Sequence, residues 1–289
     1  MYEKNFNYFL MDGTPTGRIK CSNNNWSVVA YRVPRTELEK CKDRKDLSQS
    51  GVYFLFATSE ESDENLVYVG QADVRKNETA ILNRVLEHTA KEEEDWWTEA
   101  ILFTTSNDFL GATEISWLEN YFWALAKKAN RYLVKNEKEP TSGKPTEETL
   151  SDLHDFVIYA KMIMGILGHK VFEPLIHDEP EPENLLYIEQ KAKNFKATCA
   201  RTSEGYIVKQ GSMIKATYAK DTPKSVKEKR KELMSNKNIS SDGILKINVK
   251  FNNPSYAAAF VLGHSVSGLA SWKTAEGKTL KEIEQSEIK

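Results

Sequence analysis

Cysteine is scarce in this 289-residue chain, which holds only Cys21, Cys41 and Cys199. An odd number, so widely scattered and without a CxxC pair, excludes a disulfide frame and offers no zinc site, and it fits a reducing compartment. Long apolar runs are missing too. The best candidate, FVIYAKMIMGIL, is interrupted by Lys161 and falls short of the roughly 20 apolar residues a bilayer span requires. The opening MYEKNFNYFLMDG carries acidic and polar groups where a signal peptide has a basic start and an apolar stretch, so the expectation is a cytoplasmic chain with no membrane partner. TSGKPT lacks the upstream glycine of a phosphate-binding loop. His154, His169 and His177 stand at spacings that make no metal motif, and His264 after Gly263 reads as a turn residue. No repeat of 20 to 50 residues and no low-complexity tract is present.

Net charge is also nearly absent, at −2, but its distribution is uneven. From residue 184 onward there are 19 Lys/Arg against 10 Asp/Glu, and before it 21 against 32. A basic second half could neutralise nucleic-acid phosphates, which the acidic first half could not do by bulk charge; the alternative is a solvated lysine-rich surface.

What is present reads as four segments, 1–50, 51–140, 141–183 and 184–289. The first is a strand-bearing lead-in, with WSVVAYRV alternating as a strand. In the second, GVYFLFAT and LVYVGQ form a hairpin across an acidic loop, TAILNRVLEHTAK repeats its apolar residues at helical spacing, and WTEAILFTT is a third strand. A long helix follows, ATEISWLENYFWALAKKANRYL, with a stripe from Ile115 to Leu133. The third segment is a helix over about 147–168, ended by Gly168, and the acidic linker HDEPEPEN. The fourth is a small α+β unit with strands in GYIVKQGSMIKA and ILKINVKF, helices PKSVKEKRKELMSN and PSYAAAFVLG, and a closing LASWKTAEGKTL hairpin with Trp272 in its core.

Each strand of the hairpin carries a Gly/Tyr pair, Gly51 with Tyr53 and Tyr68 with Gly70, where valine or isoleucine would serve a sheet core better. Arg84 and His88 lie one turn apart on one helix face, and Glu119 sits beside the apolar stripe of the long helix. A carboxylate in that position must be paired, hydrogen-bonded or metal-bound. Singly, the tyrosines could be packed sheet residues, Arg84 and His88 a solvated face, and Glu119 the ion-pair partner of Arg84.

In this order, GVY, YVG, RVLEH and WLENYFWALA over residues 51–136 resemble the GIY-YIG nucleases. FNNPSYAAAFVLGHSVSGLASWKTAEGKTL resembles a domain of unknown function that accompanies such nucleases in bacteria. The first resemblance implies an α+β fold built on a small three-stranded antiparallel sheet flanked by helices, and metal-dependent endonuclease action on nucleic acid, in the first place DNA. It implies Tyr53 as base or water-positioning group, Tyr68 orienting water or phosphate, Arg84 stabilising the phosphorane, His88 passing protons or orienting Tyr53, and Glu119 holding Mg²⁺, for which Mn²⁺ may substitute. Gly51, Gly70, Gln71 and Asn136 become substrate-contact candidates. Gln71 stands where the family often has Lys or Arg, and EEED at 92–95 would repel a polyanion unless it faces away or helps bind metal. The alternative function is a catalytically silent nucleic-acid-binding or protein-interaction module on the same fold, with protein partners unspecified.

Overall fold

Val52, Phe54 and Phe56 alternate with Tyr53 and Leu55, and a strand with that pattern must be covered on both faces. The computed structural model describes residues 3–60, 64–74, 80–91, 94–174, 184–190 and 194–287, and it covers this strand on both faces. The chain divides into two compact units, Met1–Pro174 and Leu175–Lys289, and its class is mixed α+β.

In the first unit the strands are β1 (Asn7–Leu10), β2 (Ile19–Asn23), β3 (Trp26–Pro34), β4 (Gly51–Thr58), β5 (Asn65–Ala72), β6 (Glu99–Thr105) and β7 (Leu133–Val134). They form one seven-stranded sheet in the order β1-β2-β3-β6-β4-β5-β7. Its pairs are antiparallel except β5 with β7, which run parallel. The small three-stranded sheet expected from the sequence is not the unit that forms: β6, β4 and β5 are neighbours inside a seven-stranded sheet, with the lead-in strands on one side and β7 on the other.

Among the described residues three α-helices cover the sheet: α1 (Ile81–Thr89), α2 (Ala112–Ala129) and α3 (Glu147–Ile166). One face packs Phe54, Phe103, Phe122, Phe156 and Phe172 with Ile115 and Leu118 of α2, and the other packs Tyr53, Leu55 and Leu102 with Ile81, Leu82 and Val85 of α1. Burying each such aromatic ring stabilises the fold by roughly 2–3 kcal/mol. The expected four-segment division therefore differs from the structure at 50 and 140. β3 pairs with β6 along seven residues, and Leu153, Phe156 and Ala160 of α3 complete the core under β4, so lead-in, central strands and following helix cannot be separated without exposing it. α2 also stops earlier than its apolar stripe suggests. Asn130 adopts a left-handed conformation (φ 50°) that caps the helix, and Leu133, predicted on the stripe, lies in β7 and is exposed. Gly168, at φ +97°, stands where the sequence stops α3. The linker HDEPEPEN and His177 lie outside the described residues apart from Asn184.

The second unit has β8 (Leu185–Gln190), β9 (Phe195–Thr202), β10 (Gly205–Val208) and β11 (Val249–Phe251) in an antiparallel sheet of order β11-β10-β9-β8. Its helices are α4 (Lys224–Ser235), α5 (Pro254–Leu262), α6 (Gly268–Ser271) and α7 (Leu280–Glu287). Asn253 caps α5 at its start and Gly263 (φ +73°) ends it. Trp272 is fully buried and its indole donates to the Pro254 carbonyl at 3.0 Å. The predicted closing hairpin is instead α6 followed by one antiparallel bridge, Lys273 to Thr279, and only the last three residues of ILKINVKF form a strand. Among the described residues no helix is long and apolar enough to cross a membrane.

Candidate active site

The Gly/Tyr pairs follow from how closely the strands and rings approach. Tyr53 on β4 lies opposite Gly70 on β5, and a β-carbon at Gly70 would overlap the Tyr53 ring at Cζ and its hydroxyl. Gly51 passes so near β6 that a β-carbon would overlap the Phe103 carbonyl oxygen. Glycine at 70 therefore lets the tyrosine ring lie flat across the neighbouring strand, and at 51 it admits backbone. Gly70→Ala must displace a fully buried ring, and we expect it to lower stability by about 2–3 kcal/mol in urea denaturation.

Laid across Gly70, the Tyr53 hydroxyl reaches the His88 Nε2 at 2.7 Å. The other ring nitrogen, Nδ1, is hydrogen-bonded to the Glu94 Oε2. Burial pushes the Glu94 carboxyl up, but its bonds with His88 and Lys91 outweigh this and hold it below the usual range, so it is ionised and only accepts. His88 must then donate from Nδ1, which leaves Nε2 bare to accept the Tyr53 proton. Burial lowers the His88 pKa despite Glu94, so the ring is neutral at pH 7. Tyr68 completes this side, its ring 6.2 Å from Tyr53 and 5.4 Å from His88. Burial raises both tyrosines' pKa values, and the Arg84 charge opposes that rise.

Gln71 has the same parity on β5 as Val67 and Val69, whose side chains face α2. Its Nε2 donates to the Glu119 Oε2 at 2.8 Å, and its Oε1 accepts from the Ser116 hydroxyl at 3.1 Å. Burial is the main reason the Glu119 pKa rises to about 7, against the opposing pull of Gln71 and Arg84. The two faces of the sheet meet at the end of β5 in a cavity of about 460 Å³, lined by Tyr53, Tyr68, Gln71, Arg84, Ser116 and Glu119, with Asp73 and Glu87 beside them.

Arg84 does not pair with Glu119 among the described residues; its Nη1 meets Glu87 at 2.5 Å. Asn136 is apart from the cavity lining. Its side-chain amide donates to the Val69 carbonyl and accepts from the Val69 amide, extending the β5–β7 ladder past Val134. We expect Asn136→Ala to cost about 1–2 kcal/mol through these two hydrogen bonds. Cation affinity at Glu119, measured by calorimetry, should stay unchanged. Glu94 and Ser116 escaped sequence reading. The EEED run was the available signal for Glu94; Glu92 and Glu93 lie outside the described residues. His169 hydrogen-bonds Glu99 at 2.6 Å and stacks on Phe56, away from this cavity.

Glu119 suits a hard divalent cation: a carboxylate in a cavity, one oxygen held by Gln71 and the other without a hydrogen bond among the described residues. No cluster of three or more His, Cys, Asp or Glu is placed to hold a metal among those residues, so such an ion would rely on water and substrate oxygens for its remaining ligands.

Comparison with known proteins reaches only the second unit: residues 186–284 match the family described as a domain of unknown function (DUF4357). No curated protein matches the chain. No solved structure matches it either. The residues that line the cavity lie outside the matched stretch.

Proposed function

We propose that the first unit is a metal-dependent phosphodiester hydrolase acting on nucleic acid, in the first place a DNA endonuclease. The observation that supports this most is the hydrogen-bonded chain Tyr53–His88–Glu94, ending in the same cavity as Arg84 and Glu119. A buried phenol is hardly ionised at neutral pH, so Tyr53 needs a receiver for its proton. His88 supplies one. As Tyr53 takes a proton from the attacking water, its own passes to Nε2, and Glu94 stabilises the imidazolium that forms. Tyr68 orients water or phosphate, and Arg84 turns from Glu87 to the phosphate as charge builds on its oxygens. Mg²⁺ or Mn²⁺ on Glu119 would supply Lewis-acid stabilisation of the phosphate and the departing 3′ oxygen, which is protonated by water. Gln71, where family members often have a cation, holds Glu119 in place.

The expected result is Mg²⁺-dependent nicking of supercoiled plasmid, lost in Glu119→Ala and in Tyr53→Phe. The second reading, a silent binding or interaction module, is favoured by the engagement of Arg84 with Glu87 and, among the described lining residues, by three carboxylates beside that cation. Retention of DNA without nicking would select it.

A further inference from the structure

Arg230 on α4 is 0% exposed, yet among the described residues its Nε and Nη1 have no hydrogen-bond partner. Its Nη2 donates to the Lys215 carbonyl, and among the described residues no carboxylate contributes to its electrostatics. A buried cation without a counter-charge is costly. Over the guanidinium lies the ring of Tyr218, 5.7 Å away, with Lys227 at 5.8 Å from the same ring. Tyr218 is 37% exposed. An aromatic ring backed by positive charge and open to solvent thus stands on this surface.

The surroundings are basic. Residues 215–231 carry seven Lys/Arg and two Asp/Glu, a local excess of five positive charges. Val226, Arg230 and Leu233 set the inward face of α4, and Lys224, Lys227 and Lys231 follow at i, i+3 and i+7 along its flank. At 100° per residue these three lie within about 60° of one another, while Glu228, in an exposed pair with Lys224 at 3.7 Å, and Glu232 fall on the opposite side of the stripe from Tyr218. Lys227 also donates to the Lys220 carbonyl at 2.8 Å, tying the 215–222 loop to the helix. A run of lysines alone is a solvated face. Here the uncompensated Arg230 and the presented ring add two features that a solvated face does not need.

We propose that this face of the second unit binds single-stranded nucleic acid, with phosphates on Lys220, Lys224, Lys227 and Lys231 and one base stacked on Tyr218. Stacking on the ring takes an unpaired base, and regularly spaced phosphates match a stripe of lysines beside it. The inference concerns residues outside the cavity and does not require cleavage.

The test is fluorescence anisotropy of a labelled 30-nucleotide single strand with the full-length chain, carrying Glu119→Gln throughout so that the strand stays intact. Binding should weaken steeply with salt. Lys224→Gln, Lys227→Gln and Lys231→Gln together should reduce the log–log salt slope by about 2, at roughly 0.7 per phosphate contact. Tyr218→Ala should weaken binding roughly five- to a hundredfold with little change in slope. Lys224, Lys231 and Tyr218 are exposed and Lys227 is partly so, none of them lies in the buried core, and circular dichroism verifies the fold. An unchanged slope in the lysine variant, wild-type affinity in Tyr218→Ala, or displacement of the strand by polyglutamate at equal charge would overturn the proposal, the last outcome assigning the face to an acidic protein. A catalytically silent cavity leaves every arm readable.

Discussion

Glu119→Gln is expected to make the metal-free protein more stable at pH 8 while removing cleavage. The carboxyl has an ordinary pKa of 4.5 and rises to about 7 in the folded chain, with burial as the main cause. A raised acid binds its proton more tightly folded than unfolded, so its contribution is fully present below pH 4.5 and is lost as pH climbs through 7. Above that the folded state carries an ionised carboxylate in a site that disfavours it, at a cost of up to about 3 kcal/mol for a shift of this size. Glutamine keeps the shape and the bond to Gln71 without the charge. In EDTA, urea denaturation should give nearly equal stabilities for variant and wild type at pH 4.5, diverging to roughly 2–3 kcal/mol in favour of the variant at pH 8. Millimolar Mg²⁺ should close the gap by stabilising wild type alone, by mass action on the state that binds it. Nicking should fall at least about a hundredfold, since Lewis-acid stabilisation is worth several kcal/mol. Parallel pH curves for the two proteins would show that the carboxyl is not held neutral by its site, and an Mg²⁺ response in the variant would place the ion elsewhere.

The order of elements from Gly51 to Ala129 was legible because the three strands are short runs of apolar, β-branched and aromatic residues and both helices bury an apolar stripe. The size of the sheet was not. β3 joins it by pairing with β6 across more than sixty residues and brings β1 and β2 with it, and β7 is two residues long, too short to carry a periodic pattern. The side chains facing the cavity follow from parity: Tyr53 and Tyr68 share one face, and Arg84 and His88 share one side of α1. What lies behind them does not follow. Glu94 falls after the end of α1, in a stretch with no regular period, and its approach to His88 depends on where the chain turns toward β6. Gln71 reads as a weakened phosphate contact in sequence. Only its opposition to α2 gives it the Glu119 carboxylate as a partner. Asn136 reads as a site residue, and only the parallel pairing of β7 shows that its amide completes a sheet edge.

Tyr53→Phe and Glu94→Gln should both remove about 10²–10⁴ of the cleavage rate, for different reasons that spectroscopy separates. Phenylalanine deletes the group that takes the proton from water, and it leaves the His88 Nε2 lone pair buried and unpartnered at a cost of about 1–2 kcal/mol. The His88 tautomer is untouched, because Glu94 still accepts from Nδ1. Glutamine at 94 acts on that tautomer. Its amide can donate to Nδ1, moving the ring proton to Nε2, where it points at the Tyr53 oxygen and blocks the relay. Nitrogen chemical shifts of ¹⁵N-histidine should therefore show a protonated Nδ1 in wild type and in Tyr53→Phe, and a protonated Nε2 in Glu94→Gln. With His88 already neutral at pH 7, the wild-type rate at Mg²⁺ well below saturation should rise as Glu119 ionises near its metal-free pKa of about 7 and then level, and the midpoint should move to lower pH as Mg²⁺ is raised, because the ion competes with the proton for the carboxylate. Glu94→Gln should keep that midpoint at a lower plateau. A wild-type ring protonated on Nε2 would mean that Tyr53 accepts from His88 instead of donating to it, and the route for its proton would be lost.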